Sequence, residues 1–149
     1  MAAVRTATVT WQGSLAEGSG SVSAGTSQLF TDLPISWGSR TEEADGRTSP
    51  EELLAAAHAA CFAMAFSADL GRAGYEPEEL HVEAEVTFDK LDGGWTVTHS
   101  ALTVLGHVHG ITPEEFDRIA EGTRDGCPIS RALAGSVELS VEATLDTDG

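Results

Sequence analysis

The stretch Ser49-Pro-Glu-Glu-Leu-Leu-Ala-Ala-Ala-His-Ala-Ala-Cys-Phe-Ala-Met64 decides the fold. Ser49 is a natural N-cap, Pro50 is preorganised for the first helical position, and Glu52 stands three residues after the cap, where it closes a capping box. The spacing therefore predicts a helix that begins at Pro50 and runs to about Gly74. Leu53, Leu54, Phe62, Met64, Phe66 and Leu70 are spread among eight alanines, so apolar residues cover most of the helical circumference. Such a helix is expected to be buried on nearly all sides.

On the N-terminal side, residues 4–12 alternate as a strand does. The following stretch, 13–38, carries short β-prone pieces broken by Gly20, Gly25, Pro34 and Gly38, which reads as hairpins with irregular turns. From Ser39 to Arg47 the chain is polar and without period, which predicts a loop. On the C-terminal side, strands are expected from Leu80 to Lys90, from Gly94 to His107 and from Ser136 to Leu145, with a hairpin turn at Asp92-Gly93-Gly94. A second capped helix starts at Thr112-Pro-Glu-Glu and runs to about Arg124, and a short helix opens at Cys127. This order of strands, long helix, hairpin, helices and strand is α+β and lacks the βαβ repeat of a parallel fold. The length of 149 residues fits one domain, 1–149, whose core needs no staples.

Twenty-four acidic residues against eight basic ones give a net charge of −16. That balance disfavours nucleic acid and anionic lipid as partners. Neither a secretory leader nor a run of about 18 apolar residues is apparent, so the expected location is cytoplasmic, where free thiols stay reduced until they react.

Cys61 and Cys127 are the only thiols. They could form a structural disulfide, bind a metal, or act as an attacking and resolving pair. An unperturbed thiol is only about 3% ionised at neutral pH, so an attacking cysteine needs positive charge nearby. Cys127 precedes Pro128 at a helix start, where unpaired N–H groups favour a thiolate, although Asp125 opposes it. Cys61 taken alone is equally a small core residue. His58, three residues before Cys61, is either a packed or partly exposed residue or half of a Cys–His dyad. His107-Val-His109 has a spacing a metal could use, but exposure beside a turn is the plainer reading.

The helix stretch above, together with Phe88-Asp-Lys-Leu-Asp-Gly-Gly94 and Gly126-Cys-Pro-Ile-Ser130, resembles the OsmC branch of the OsmC/Ohr family of thiol peroxidases. The resemblance covers nearly the whole chain, from Trp11 to the last strand. It implies an OsmC-like fold with antiparallel sheets around a long central cysteine-bearing helix, in an intertwined homodimer whose N-terminal strands complete the partner's sheet. It implies an organic hydroperoxide reductase that uses neither cofactor nor metal, acts less well on hydrogen peroxide, and is regenerated by a dithiol reductant. By the same resemblance Cys61 is peroxidatic and Cys127 resolving, through a Cys61 sulfenate and a Cys61–Cys127 disulfide. Arg40 activates the thiolate and Glu51 orients Arg40, with Arg47 as a competitor because the segment before the helix is slightly longer than the family pattern. Disulfide exchange with a small dithiol, or ligand binding without catalysis, are the rival functions on the same scaffold.

Helix geometry adds a constraint. Ten residues at 1.5 Å rise separate Glu51 from Cys61 by roughly 15 Å along one helix. A Glu51–Arg40 pair serving Cys61 is therefore expected to come from the partner chain, which makes each active site composite.

Overall fold

A computed structural model describes residues 1–146, so the last three positions of the expected 1–149 domain lie outside the described residues. Along the chain run β1 (Ala7–Gln12), β2 (Ser19–Ala24), β3 (Leu33–Ile35), α1 (Gly38–Thr41), α2 (Pro50–Arg72), β4 (Pro77–Leu91), β5 (Gly94–Val108), α3 (Pro113–Gly126), α4 (Pro128–Leu133) and β6 (Glu138–Leu145). These elements gather into two compact units, Met1–Leu53 and Leu54–Gly149.

In the first unit β1, β2 and β3 form an antiparallel meander, with Val9 opposite Val22 and Val22 opposite Leu33. Val22 is its one buried hydrophobic side chain among the described residues, and all six residues of β1 are exposed. The segment read as a loop contains a single helical turn, α1, which carries Arg40. One turn shows no apolar period to read. It is held instead by Ser36 and Ser39, each of whose backbone N–H groups donates to the other's hydroxyl at 3.2 and 3.1 Å. The start of α2 is capped as expected on one side only. The Ser49 hydroxyl accepts from Glu52 N–H at 3.1 Å, but the Glu52 carboxylate takes the Thr48 hydroxyl at 2.6 Å and does not close the box.

In the second unit β5 is the central strand of a three-stranded sheet. β4 pairs with it antiparallel through the two-residue turn at Asp92-Gly93, and β6 pairs with it in parallel, with Leu102 opposite Val141. The sheet is therefore mixed where antiparallel pairing was expected. The reason is the connection: α3 and α4 lie between β5 and β6, and a crossover of that length returns the chain in the same direction. Inward residues of β5 alternate as Ser100, Leu102, Val104 and Val108. Phe62, Phe66 and Leu70 from α2, and Phe116, Ile119 and Ala120 from α3, join them in one core. Phe66 lies at the centre of an aromatic cluster, 5.4 Å from the Phe62 ring and 5.0 Å from the Phe116 ring. Burying such a ring contributes roughly 2–3 kcal/mol. Gly106 has to be glycine for this packing, because a Cβ there would lie 2.6 Å from the tip of the Phe116 ring.

The expected all-round burial of α2 does not occur within one chain. A stripe of His58, Phe62, Phe66 and Leu70, four residues apart, is fully buried, whereas Ala56, Ala57, Ala60, Ser67 and Ala68 are exposed and Met64 retains 70% of its surface. A sheet on one side of a helix can bury only one face. Among the described helices α2 alone is long and apolar enough to cross a membrane by length and composition, yet its phenylalanine stripe belongs to the core of the unit.

Candidate active site

Cys127 is at a junction. Its backbone N–H donates to Thr123 O at 2.9 Å, ending α3, and its carbonyl accepts from Arg131 N–H at 3.0 Å, starting α4. Its extended backbone (φ −62°, ψ 138°) and Pro128 at the first helical position fix the turn. That turn places Cys127 Sγ 3.3 Å from Cys61 Sγ, which lies in the fourth turn of α2, with both thiols free. A disulfide bond is about 2.05 Å long, so closure needs movement of little more than an ångström.

The two sulfurs differ in access. Cys127 is fully buried, while Cys61 is partly exposed. Cys61 borders an open apolar pocket of about 610 Å³ walled by Ala57, Ala60, Met64, Pro128 and Ile129. They also differ in electrostatics. Burial pushes the Cys61 thiol up, against a hydrogen bond from Ile129 N–H, and neighbouring Cys127 adds to the rise. Burial also pushes Cys127 up, but hydrogen bonds from the Ser130 hydroxyl and backbone outweigh it, with help from Cys61 and Ile129 N–H, and its pKa falls. Asp125, which threatened to oppose this, is held by Arg124 at 3.1 and 3.2 Å. Negative charge shared by this pair thus rests more easily on Cys127.

His58 is neither exposed nor bonded to Cys61. It is fully buried, with Nδ1 2.6 Å from Ser100 Oγ on β5 and Nε2 2.8 Å from Ser130 Oγ on α4. The Ser130 hydroxyl donates in turn to Cys127 Sγ at 3.4 Å. Burial holds the imidazole below its usual range. Sequence reasoning did not find Ser100 or Ser130. Ser130 left a faint signal, three residues after the N-cap Cys127, whereas Ser100 is joined to His58 only by the sheet.

The first unit holds the other predicted pair. Arg40 Nε donates to Glu51 Oε1 at 3.0 Å and Arg40 Nη2 to Glu51 Oε2 at 2.7 Å, a two-pronged ion pair. The guanidinium also lies 5.6 Å from the Trp37 ring centre. Arg47, the competitor, approaches Asp45 at 3.5 Å. Arg40 forms part of an apolar pocket of about 300 Å³ with Trp11, Leu15, Ile35 and Trp37. Such a pair fixes the plane of the guanidinium in a way a lysine cannot.

His107 meets Asp146 at 3.4 Å and His109 meets Glu78 at 2.8 Å near the surface. Among the described residues no three His, Cys, Asp or Glu side chains group as metal ligands.

The sequence model of the OsmC-like protein family matches residues 42–142. The chain is 39% identical to the peroxiredoxin OsmC of Escherichia coli K12 over 132 residues, which covers 89% of this chain and 91% of that protein. It is 27% identical to the organic hydroperoxide resistance protein OhrA of Bacillus subtilis, over 76% and 79% of the two chains. The crystal structure of OhrB from the same organism superposes with a TM-score of 0.70 at 26% identity, covering 93% of this chain and 98% of that one.

Proposed function

The chain belongs to the OsmC-like protein family, and from that premise we propose that it is a cytoplasmic thiol peroxidase that reduces organic hydroperoxides. The observation that carries this reading is the 3.3 Å approach of an accessible thiol, Cys61, to a fully buried one, Cys127, beside an apolar pocket. A peroxide can reach only the accessible sulfur. Cys61 thiolate attacks the peroxide's terminal oxygen, the O–O bond breaks, the alkoxide leaves as an alcohol after protonation, and Cys61 becomes a sulfenic acid. Cys127 then displaces hydroxide from that sulfur to form the disulfide, and a dithiol reduces it. Aliphatic walls around Cys61 favour a substrate with an apolar substituent over hydrogen peroxide.

This chemistry needs a cation at Cys61, because burial raises that thiol. Arg40, its plane set by Glu51, is the group we assign to stabilise the thiolate and the developing alkoxide. α2 is helical throughout from Pro50 to Arg72, so Glu51 and Cys61 remain roughly 15 Å apart along it. The exposed alanine face of α2, with Met64, fits a second copy of the same helix. The functional form is accordingly a homodimer, with Arg40 and Glu51 of one chain serving Cys61 and Cys127 of the other.

Peroxide consumption with a dithiol and cumene hydroperoxide tests the activity. Turnover supports it, dithiol exchange without peroxide loss would replace it with a disulfide-exchange function, and neither reaction would leave a binding protein. Mixing inactive Cys61→Ser with inactive Arg40→Ala subunits tests the arrangement. Activity is expected to return in heterodimers, and its absence in verified heterodimers would assign the site to a single chain.

A further inference from the structure

Among the described residues, the buried histidine is the one titratable group in the second unit's interior for which the reaction above has no use. Ser130 Oγ has a single proton, and that proton points at Cys127 Sγ. Ser130 must therefore accept from His58, so Nε2 carries the hydrogen. Nδ1 is then an acceptor, and it takes the hydroxyl proton of Ser100. The result is one directed chain, Ser100 to His58 to Ser130 to Cys127, whose sulfur lies 3.3 Å from Cys61 Sγ. No buried side-chain polar atom among the described residues is left without a partner.

We propose that His58 is a positioning residue for disulfide closure: as the Nε2–H tautomer, it holds the Ser130 hydroxyl toward Cys127 Sγ, where it stabilises the charge that forms as Cys127 attacks oxidised Cys61. This rests on the peroxidase reading. In the step concerned the Cys127 thiol meets the Cys61 sulfenic acid, the Sγ–Sγ bond forms and the S–O bond breaks. The thiol proton leaves with the hydroxide as water. The sulfenic sulfur is reduced and the thiol sulfur oxidised, so no outside oxidant enters. His58 stays neutral throughout, in keeping with the low pKa that burial gives it. The groups facing it from the elements around it are Ser100 on β5, Ser130 on α4 and, one link further, Cys127. Cys61 stands one turn along its own helix. Directed hydrogen bonds in a buried chain reinforce one another, and a donor to an ionising sulfur counts for more than one to a neutral atom.

The test is a titration of the Cys127 thiolate by its ultraviolet absorbance in the Cys61→Ser protein, without peroxide. His58→Leu is expected to leave roughly tenfold less thiolate at neutral pH, a shift of about one pKa unit. His58→Gln, whose amide N–H can stand where Nε2 stood, is expected to recover more than half of it. Ser130→Ala is expected to match His58→Leu, and the double variant to add nothing further. In proteins that keep Cys61, one equivalent of peroxide should show disulfide closure slowed more than the first, peroxide-consuming step. An unchanged titration in His58→Leu, or effects that add in the double variant, would overturn the proposal. If His58→Leu does not fold, Ser100→Ala serves: it frees the ring to change tautomer and should raise the Cys127 pKa, but not once Ser130 is alanine. An unchanged Ser100→Ala titration would overturn it equally. A protein that never consumes peroxide while its titrations behave as described would sink the peroxidase reading and leave the hydrogen-bonded chain standing.

Discussion

The two compact units differ in what they can do alone. The second, from Leu54 onward, has a core of three phenylalanines, leucines and valines between one sheet and two helices, and it holds both sulfurs with their supporting hydrogen bonds. The first presents a fully exposed β1, buries Val22, and carries Arg40 and Glu51 already locked together. One unit holds the paired thiols, and the other holds a guanidinium oriented by its ion pair. In the proposed reaction each half of the chemistry is thus oriented within its own unit, and the exposed β1 is a strand that the proposed partner would cover.

Substitution at the sulfurs gives the largest contrast. Cys61→Ser is expected to abolish peroxide reduction, whereas Cys127→Ser should consume about one equivalent and stop as a sulfenic acid that a trapping reagent captures. A reactive Cys61→Ser protein beside an inert Cys127→Ser protein would reverse the two roles.

Core truncation asks whether stability resides mainly in the second unit. Phe66→Ala should cost about 3–5 kcal/mol in denaturant unfolding, against about 1–2 kcal/mol for Val22→Ala. Similar losses would break the contrast between the units.

Arg40→Lys keeps the charge but not the fork. It should slow the peroxide step ten- to hundredfold, about 1.5–3 kcal/mol, as measured by stopped flow. A loss at Arg47→Lys with Arg40→Lys unaffected would move the role.

The smallest effect concerns pH. His58 has a folded-state pKa below the ordinary value of about 6.5 because burial disfavours its charge. The unfolded chain binds that proton first on acidification, so the stability contributed by keeping the ring neutral is complete above about pH 6.5 and is lost as pH falls toward the folded pKa. Melting temperature should decline over that acidic range in the wild type, and His58→Gln should flatten the decline. Identical pH profiles would show that the ring's burial carries no such linkage.

Much of this was written locally. The caps at Ser49 and Thr112, the Asp92-Gly93-Gly94 turn and the strand β5 need only neighbouring residues to act, and each element formed near its expected bounds. The Cys61 and Cys127 motifs were likewise visible as words, and so were Arg40 and Glu51. The one-turn helix around Arg40 was not legible, because a single turn has no period. Nor was the parallel course of β6, which depends on where a crossover of two helices lands.

The sequence by itself determined the α+β class and the cysteine-bearing helix, because capping, turn chemistry and periodicity act over a few residues. Only the tertiary structure decided that one stripe of α2 is buried, that His58 joins Ser100 and Ser130 across 42 and 72 residues, and that Cys127 is sealed while Cys61 is reachable. Those properties belong to surfaces brought together by packing. No local window of the chain contains them, since burial and hydrogen-bond direction are fixed only when distant elements share one core.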